Sequence, residues 1–208
     1  MSRPRSVTSG PQRPFHLGLD RHAVLSAAVA VLDAEGRAAL TMRRVARKLG
    51  VEAASLYGHV RSKDDLIDGV LDLVLDGVQL PREDLDWRTA LLHGFTSYRR
   101  TLTSHPAVPG LMTERSHTSA AQARLVARSI ELLESSGLST ASAVRVHITL
   151  VAYTIGFVVQ EVGRPPRMSA SALASSATMQ RAVKALLGTS VDDRFRAGLE
   201  LILDGARD

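Results

Sequence analysis

The sequence predicts an all-α protein in which an N-terminal three-helix unit, containing a helix-turn-helix, precedes a larger C-terminal helical body. Three observations predict it. Apolar residues recur at spacings of three and four along most of the chain, and no period-two alternation appears. Aromatics make up only 4% of the 208 residues while alanine, leucine, valine and arginine abound, a composition that suits helices better than sheets. Finally, residues 41–63 (TMRRVARKLGVEAASLYGHVRSK) read as two short helices joined by a tight Leu-Gly-Val turn.

The elements follow in order. Residues 1–16, with arginines and prolines, read as a disordered basic arm. Asp20 is placed to cap a first helix carrying Ala23, Leu25, Ala27, Ala28, Val31 and Leu32, which Gly36 stops. Thr41 caps a second helix built on Val45, Ala46 and Leu49 and ending at Gly50. A third is expected over about Ala53–His59. Ser62 caps a fourth, with Asp64 and Asp65 in the first turn where the helix dipole favours negative charge. Its stripe of Leu66, Ile67, Val70, Leu71, Val74 and Leu75 continues to about Gly77. Pro81 and the acidic run after it mark a break near residues 78–85. The helix-turn-helix unit is assigned to 17–64 and the body to 65–208. Expected body helices span Trp87–Thr103, Ala107–Met112, Ser119–Ser135, Thr140–Val162, Met179–Leu187 and Asp192–Ala206, with a serine- and alanine-rich stretch at 164–178.

Charge and composition narrow the function. Residues 1–63 hold 11 Lys and Arg against 4 Asp and Glu, a net of +7, whereas residues 64–208 hold 15 against 17, a net of −2. All of the positive excess lies in the first third, which points to a polyanion partner there. The absence of cysteine excludes a disulfide framework, thiolate metal ligands and a cysteine nucleophile. The N-terminus lacks the apolar run of a signal peptide, and the apolar window at Ile148–Val159 is expected to be too short for a bilayer, so a cytoplasmic protein without a membrane span is expected. There is no nucleophile elbow, phosphate loop, His-Glu-x-x-His or apolar-set pair of carboxylates to support an all-α enzyme.

In the helix-turn-helix reading, Ala46 is the small residue where the two helices cross, and Gly50 supplies the turn. Val45, Leu49, Val51 and Leu56 face inward. Ala53, Ala54, Ser55, Tyr57, Gly58 and His59 remain outside, on the part of a recognition helix that meets base edges in the major groove. A plain helical hairpin with ordinary surface residues is the alternative at this point, and an architectural DNA-binding protein without a ligand is another.

The run LTMRRVARKLGVEAASLYGHVRSKDDLIDGVLD resembles the DNA-binding signature of the tetracycline-repressor (TetR) family, and SLYGHVRSKDDL is similar to its LYxHFxxKxxL core. LTSHP and AYTIGFVVQE resemble the ligand-binding domain of the tetracycline-repressor branch. The resemblance implies a transcriptional regulator, a repressor released from a palindromic operator by a small organic effector. It implies a homodimer joined through helices at about 140–162 and 192–206. Thr41 would touch phosphate and Arg43 would reach a base; Arg44 is a candidate phosphate partner, and Arg47 a candidate for a neighbouring acid. Ala53 and Ala54 would pack on thymine methyls, Ser55 would donate to a base or phosphate, and Tyr57, His59 and Lys63 would meet the backbone. Phe95, Tyr98, Leu102, Met112, His117, Arg124, His147, Tyr153, Phe157 and Gln160 fall on helices that line the family's cavity. In the tetracycline-binding branch a histidine that holds magnesium aligns with Met112, and a glutamate on a metal-bound water aligns with Gln160. Neither is present here, so neither metal nor cofactor is expected.

Overall fold

The computed structural model describes residues 18–80, 84–113, 119–163 and 176–208. Among them are ten α-helices, a single 3-10 turn and no strand. The helices are α1 (Arg21–Glu35), α2 (Met42–Leu49), α3 (Ala53–Leu56), α4 (Lys63–Leu75), α5 (Trp87–Ser104), α6 (Val108–Thr113), α7 (Ala120–Ser135), α8 (Thr140–Val162), α9 (Ala177–Leu187) and α10 (Val191–Asp204). The 3-10 turn, Arg37–Ala39, links α1 to α2.

The starts of these helices are written in their caps. Asp20, Thr41, Ser62, Asp86, Ser119, Ser139, Ser176 and Ser190 each accept a hydrogen bond from a backbone N–H of the first turn they precede. Such a cap contributes about 1 kcal/mol. α1 packs against α2 and α4 to form the head, whose core is Val24, Ala28, Val31 and Leu32 with Val45, Leu56, Leu66 and Val70. α4 also packs against α5, α6 and α7, so it belongs to both halves of the molecule.

α8 is the centre of the body, touching α5, α7 and α10. With 23 residues and an 18-residue window of mean hydropathy 1.6, it is by length and composition long and apolar enough to cross a membrane, which corrects the expectation that the apolar stretch is too short. Leu150, Thr154 and Val158 are nevertheless wholly buried against neighbouring helices, as expected of a core helix. At its C-terminal end sits a buried cation. Arg99 of α5 forms a two-pronged ion pair with Glu161 (2.7 Å for both bonds) and a third bond to Asp192 (2.7 Å). Its guanidinium also lies over the Phe157 and Phe195 rings, 5.4 and 5.1 Å from their centroids. One side chain thus ties α5, α8 and α10 together.

The third helix is shorter than expected. α3 stops at Leu56, and Tyr57–His59 form a turn in which the N–H groups of His59 and Val60 both bond the Leu56 carbonyl (2.9 Å each). The basic arm at 1–16, Pro81, His117 and most of the 164–178 stretch lie outside the described residues.

Candidate nucleic-acid interface and ligand cavity

The reading head is assembled by local rules. The Thr41 hydroxyl accepts from the Arg44 N–H (3.2 Å) and so starts α2. Gly50 ends α2 at φ +69°, ψ 26°, a left-handed conformation that strongly favours glycine. The chain then turns back sharply enough for the Val51 N–H to bond the Ala46 carbonyl (3.0 Å). Ala46 and Leu56 are buried in the crossing. Outside it, Ala54, Ser55, Tyr57 and Gly58 are exposed, with Tyr57 at 57%, and Ala53 and His59 are half-buried. Thr41, Arg43 and Lys63 are exposed on the flanks; Arg43 and Lys63 enter no ion pair among the described residues.

Arg44 departs from the expectation of a free phosphate partner. Its Nε donates to Glu35 at the end of α1 (2.8 Å), and its Nη2 bonds the other carboxylate oxygen. The reason is geometric: α2 crosses α1 so that the half-buried face of α2 meets the last turn of α1. The exposed end of the recognition turn is pinned from behind. Arg21 donates to the His59 carbonyl (2.8 Å) and to the Asp65 carboxylate (2.7 Å), which also accepts from the Arg61 N–H (2.8 Å).

In the body, α4, α5, α7 and α8 line a half-open cavity of about 630 Å³. Its wall is overwhelmingly apolar, with Leu91, Leu125, Val126, Ile130, Val151 and Ile155 typical of it. Such a volume and lining suit a drug-sized organic molecule. Phe95, Tyr98, Met112 and His147 line it as expected, and the Tyr98 hydroxyl lies 3.7 Å from the Met112 sulfur. Burial pushes the Tyr98 phenol up and the His147 imidazole down, so both are uncharged at neutral pH.

Five of the expected residues do not line the cavity. Leu102 is wholly buried in the core, further along α5. Tyr153 and Phe157 lie on the other side of α8, where Tyr153 stacks on Phe195 (5.5 Å, 12°) and its hydroxyl donates to the carbonyls of Arg194 and Phe195. Gln160 is exposed in the last turn of α8. The cavity stripe on α8 is instead Val144, His147, Ile148, Val151, Ala152 and Ile155, one face at helical spacing. Arg124 is drawn away by Asp76 on α4. Sequence reasoning missed Ser129, Gln122 and the end of α4, where Leu75 and Val78 form part of the wall. Among the described residues, no group of three or more His, Asp or Glu side chains is placed to hold a metal ion.

A helix-turn-helix head joined by one shared helix to a helical body with an apolar cavity defines a one-component, DNA-binding regulator class. Residues 80–208 match the model of the tetracyclin repressor-like C-terminal domain, and residues 24–70 match that of the bacterial regulatory proteins of the tetR family. The chain belongs to the TetR family of transcriptional regulators. It is similar to an HTH-type transcriptional regulator of Saccharopolyspora erythraea, 40% identical over 98 residues, which cover 47% of this chain and 42% of that protein. Among solved structures, BioQ of Mycobacterium smegmatis is 30% identical (91% of this chain, 98% of that one, TM-score 0.73), and BioQ is also solved with its double-stranded DNA operator. ActR of Streptomyces coelicolor in complex with actinorhodin is 27% identical (91% and 96% covered, TM-score 0.77).

Proposed function

We propose that this protein is a homodimeric repressor that binds a palindromic operator and is released from it when an organic effector fills the cavity. One observation carries the reading. α4 starts behind its Ser62 cap, beside the recognition turn, and its last residue, Leu75, with Val78 just beyond it, is part of the cavity wall. A change at the cavity therefore has a direct mechanical route to the head.

Two copies set their α3 helices in successive major grooves, about 34–36 Å apart. Arg43 reaches a base edge, and Thr41, Tyr57, His59 and Lys63 hold phosphates and fix the register. Ala53, Ala54 and Ser55 make the closest approach to the bases. The dimer is built on the outer faces of α8 and α10, where Val159 and Leu201 are 51% and 73% exposed. Apolar side chains exposed to that degree on long helices favour cover by a second chain. The work is done in the bacterial cytoplasm. An architectural protein would have no use for the cavity, which disfavours that reading.

A gel shift tests the proposal, with DNA from upstream of the protein's own gene against random competitor. Selective binding of the upstream DNA is expected, falling steeply with salt. Tyr57→Ala with Lys63→Ala should weaken binding to all sequences and flatten the salt slope. Equal binding of both DNAs would instead support the architectural reading, and no binding at low salt would sink both.

A further inference from the structure

The cavity wall holds two polar atoms without a partner. The Ser129 hydroxyl on α7 and the Nδ1 of His147 on α8 are buried and make no hydrogen bond. Both residues line the cavity, and they are only 7% and 9% exposed. Serine and threonine within a helix normally bond the carbonyl one turn back. Thr96, Thr149 and Thr154 all do so here, at 2.6, 2.9 and 2.8 Å. Ser129 does not. A buried polar atom left unpaired is costly, so two on facing walls of one cavity need a cause.

From these two atoms we infer that the effector is an uncharged aromatic molecule carrying a hydroxyl, and that Ser129 and His147 are the residues that select it. The inference rests on the cavity being the effector site. Both residues border the cavity, so a ligand seated there is the nearest source of the partner that the described residues do not supply. A hydroxyl donates and accepts at once, so it satisfies the serine and either tautomer of a neutral imidazole. Charge is disfavoured from both directions. Among the described residues no carboxylate lines the cavity to meet a cation, and burial works against the charged imidazole that would meet an anion. Arg128, the charged group among the described lining residues, is paired with Glu131 (3.3 Å). An aromatic body is chosen to match Phe95, a lining residue whose ring lies 6.4 Å from both the Tyr98 and the His147 rings.

The test titrates the full-length chain with four probes followed by their own fluorescence: 2-naphthol, naphthalene, 2-naphthoate and 2-naphthylmethylammonium. The expected order puts 2-naphthol first, roughly five- to tenfold tighter than naphthalene, as one or two neutral hydrogen bonds supply. Both ions should bind more weakly than either. Ser129→Ala and His147→Phe should each bring the naphthol-to-naphthalene ratio toward one without weakening naphthalene. Ser129→Ala, free of ligand, should keep or raise Tm, because it removes an unpaired group. A fall of more than about 3 °C, near 1 kcal/mol for a chain of this size, would mean that the hydroxyl already has a partner, and would overturn the inference. So would a ratio that survives both substitutions, or tighter binding of either ion. Equal binding of naphthol and naphthalene discards the hydroxyl assignment and leaves the cavity as the effector site. Failure of all four probes to bind a chain that still holds its operator discards both.

Discussion

Asp65→Asn should loosen the joint between the recognition turn and α4. The Asp65 carboxylate accepts from Arg21 (2.7 and 3.3 Å) and from the Arg61 N–H (2.8 Å). These contacts, the Arg21 hydrogen bond first, hold its pKa down from 3.8 to about 2. A depression of about 1.8 pH units corresponds to at most about 2.4 kcal/mol of extra native stability. The Arg21 side chain is 46% exposed, so solvent screening reduces this to about 1–1.5 kcal/mol. Because the folded pKa is depressed, the contribution is complete above pH 4 and is lost as pH falls toward 2. Urea unfolding of the parent and of Asp65→Asn should therefore differ by about 1–1.5 kcal/mol at pH 7. The gap should narrow between pH 4 and 2.5, as the parent carboxyl protonates and comes to resemble the amide. A gap under about 0.5 kcal/mol at pH 7, the ordinary scale of a neutral surface change, would refute the reasoning, as would one that stays constant down to pH 2.5.

Four further substitutions probe the rest. Arg99→Met strips Glu161 of its two-pronged partner and should cost about 2–3 kcal/mol in urea unfolding, below the 3–5 kcal/mol of a fully buried pair because Glu161 keeps some contact with water. Gly198→Ala sets a methyl against the Tyr153 ring and should cost about 1–3 kcal/mol; since the phenol oxygen and the ring carbons behind it all come too close, the cost should shrink in a Tyr153→Ala background, a coupling that a double-mutant cycle reads directly. Arg43→Ala should relax preference at one base position across a panel of operator variants, whereas Arg44→Ala, whose guanidinium is committed to Glu35, should leave the pattern of preference intact.

How far the sequence could be read depended on the range of the interaction. α8 was legible to both ends because Ser139 caps it and Gly163 follows it, and both signals are local. The head was legible because Ala46, Gly50 and Leu56 act within one short turn. The end of α3 was not, since Tyr57–His59 continue a helical pattern by eye while their N–H groups close a tighter turn. The cavity-facing side of α8 was not legible either. That helix is apolar nearly all round, so its period gives a helix without choosing a face, and Tyr153 and Phe157 were assigned to the wrong side. The pairing of Arg44 with Glu35 depends on where α2 crosses α1, which spacing along the chain does not encode. Neither do the missing partners of Ser129 and His147.

The two ends of α4 are held differently, and on the proposed reading that difference tells where an effector acts. At its start α4 is locked into the head by Leu66 and Val70, both wholly buried, and by the Arg21–Asp65 pair. At its end Leu71, Val74 and Leu75 are buried too, and α4 adds two polar contacts to α7. Asp72 accepts from the Ala121 N–H (2.9 Å), and Asp76 pairs with Arg124 with both side chains more than half exposed. An exposed pair contributes at most about 1 kcal/mol, so the polar part of this seam yields more readily than the Arg21–Asp65 joint. A ligand that binds two arrangements equally shifts nothing, however tightly it binds. The effector must therefore favour one position of α7 over another, and Ser129, on α7 itself, is where a hydrogen bond to the ligand would supply that preference. Head and α4 then move together as one body, with α7 as the surface they turn against.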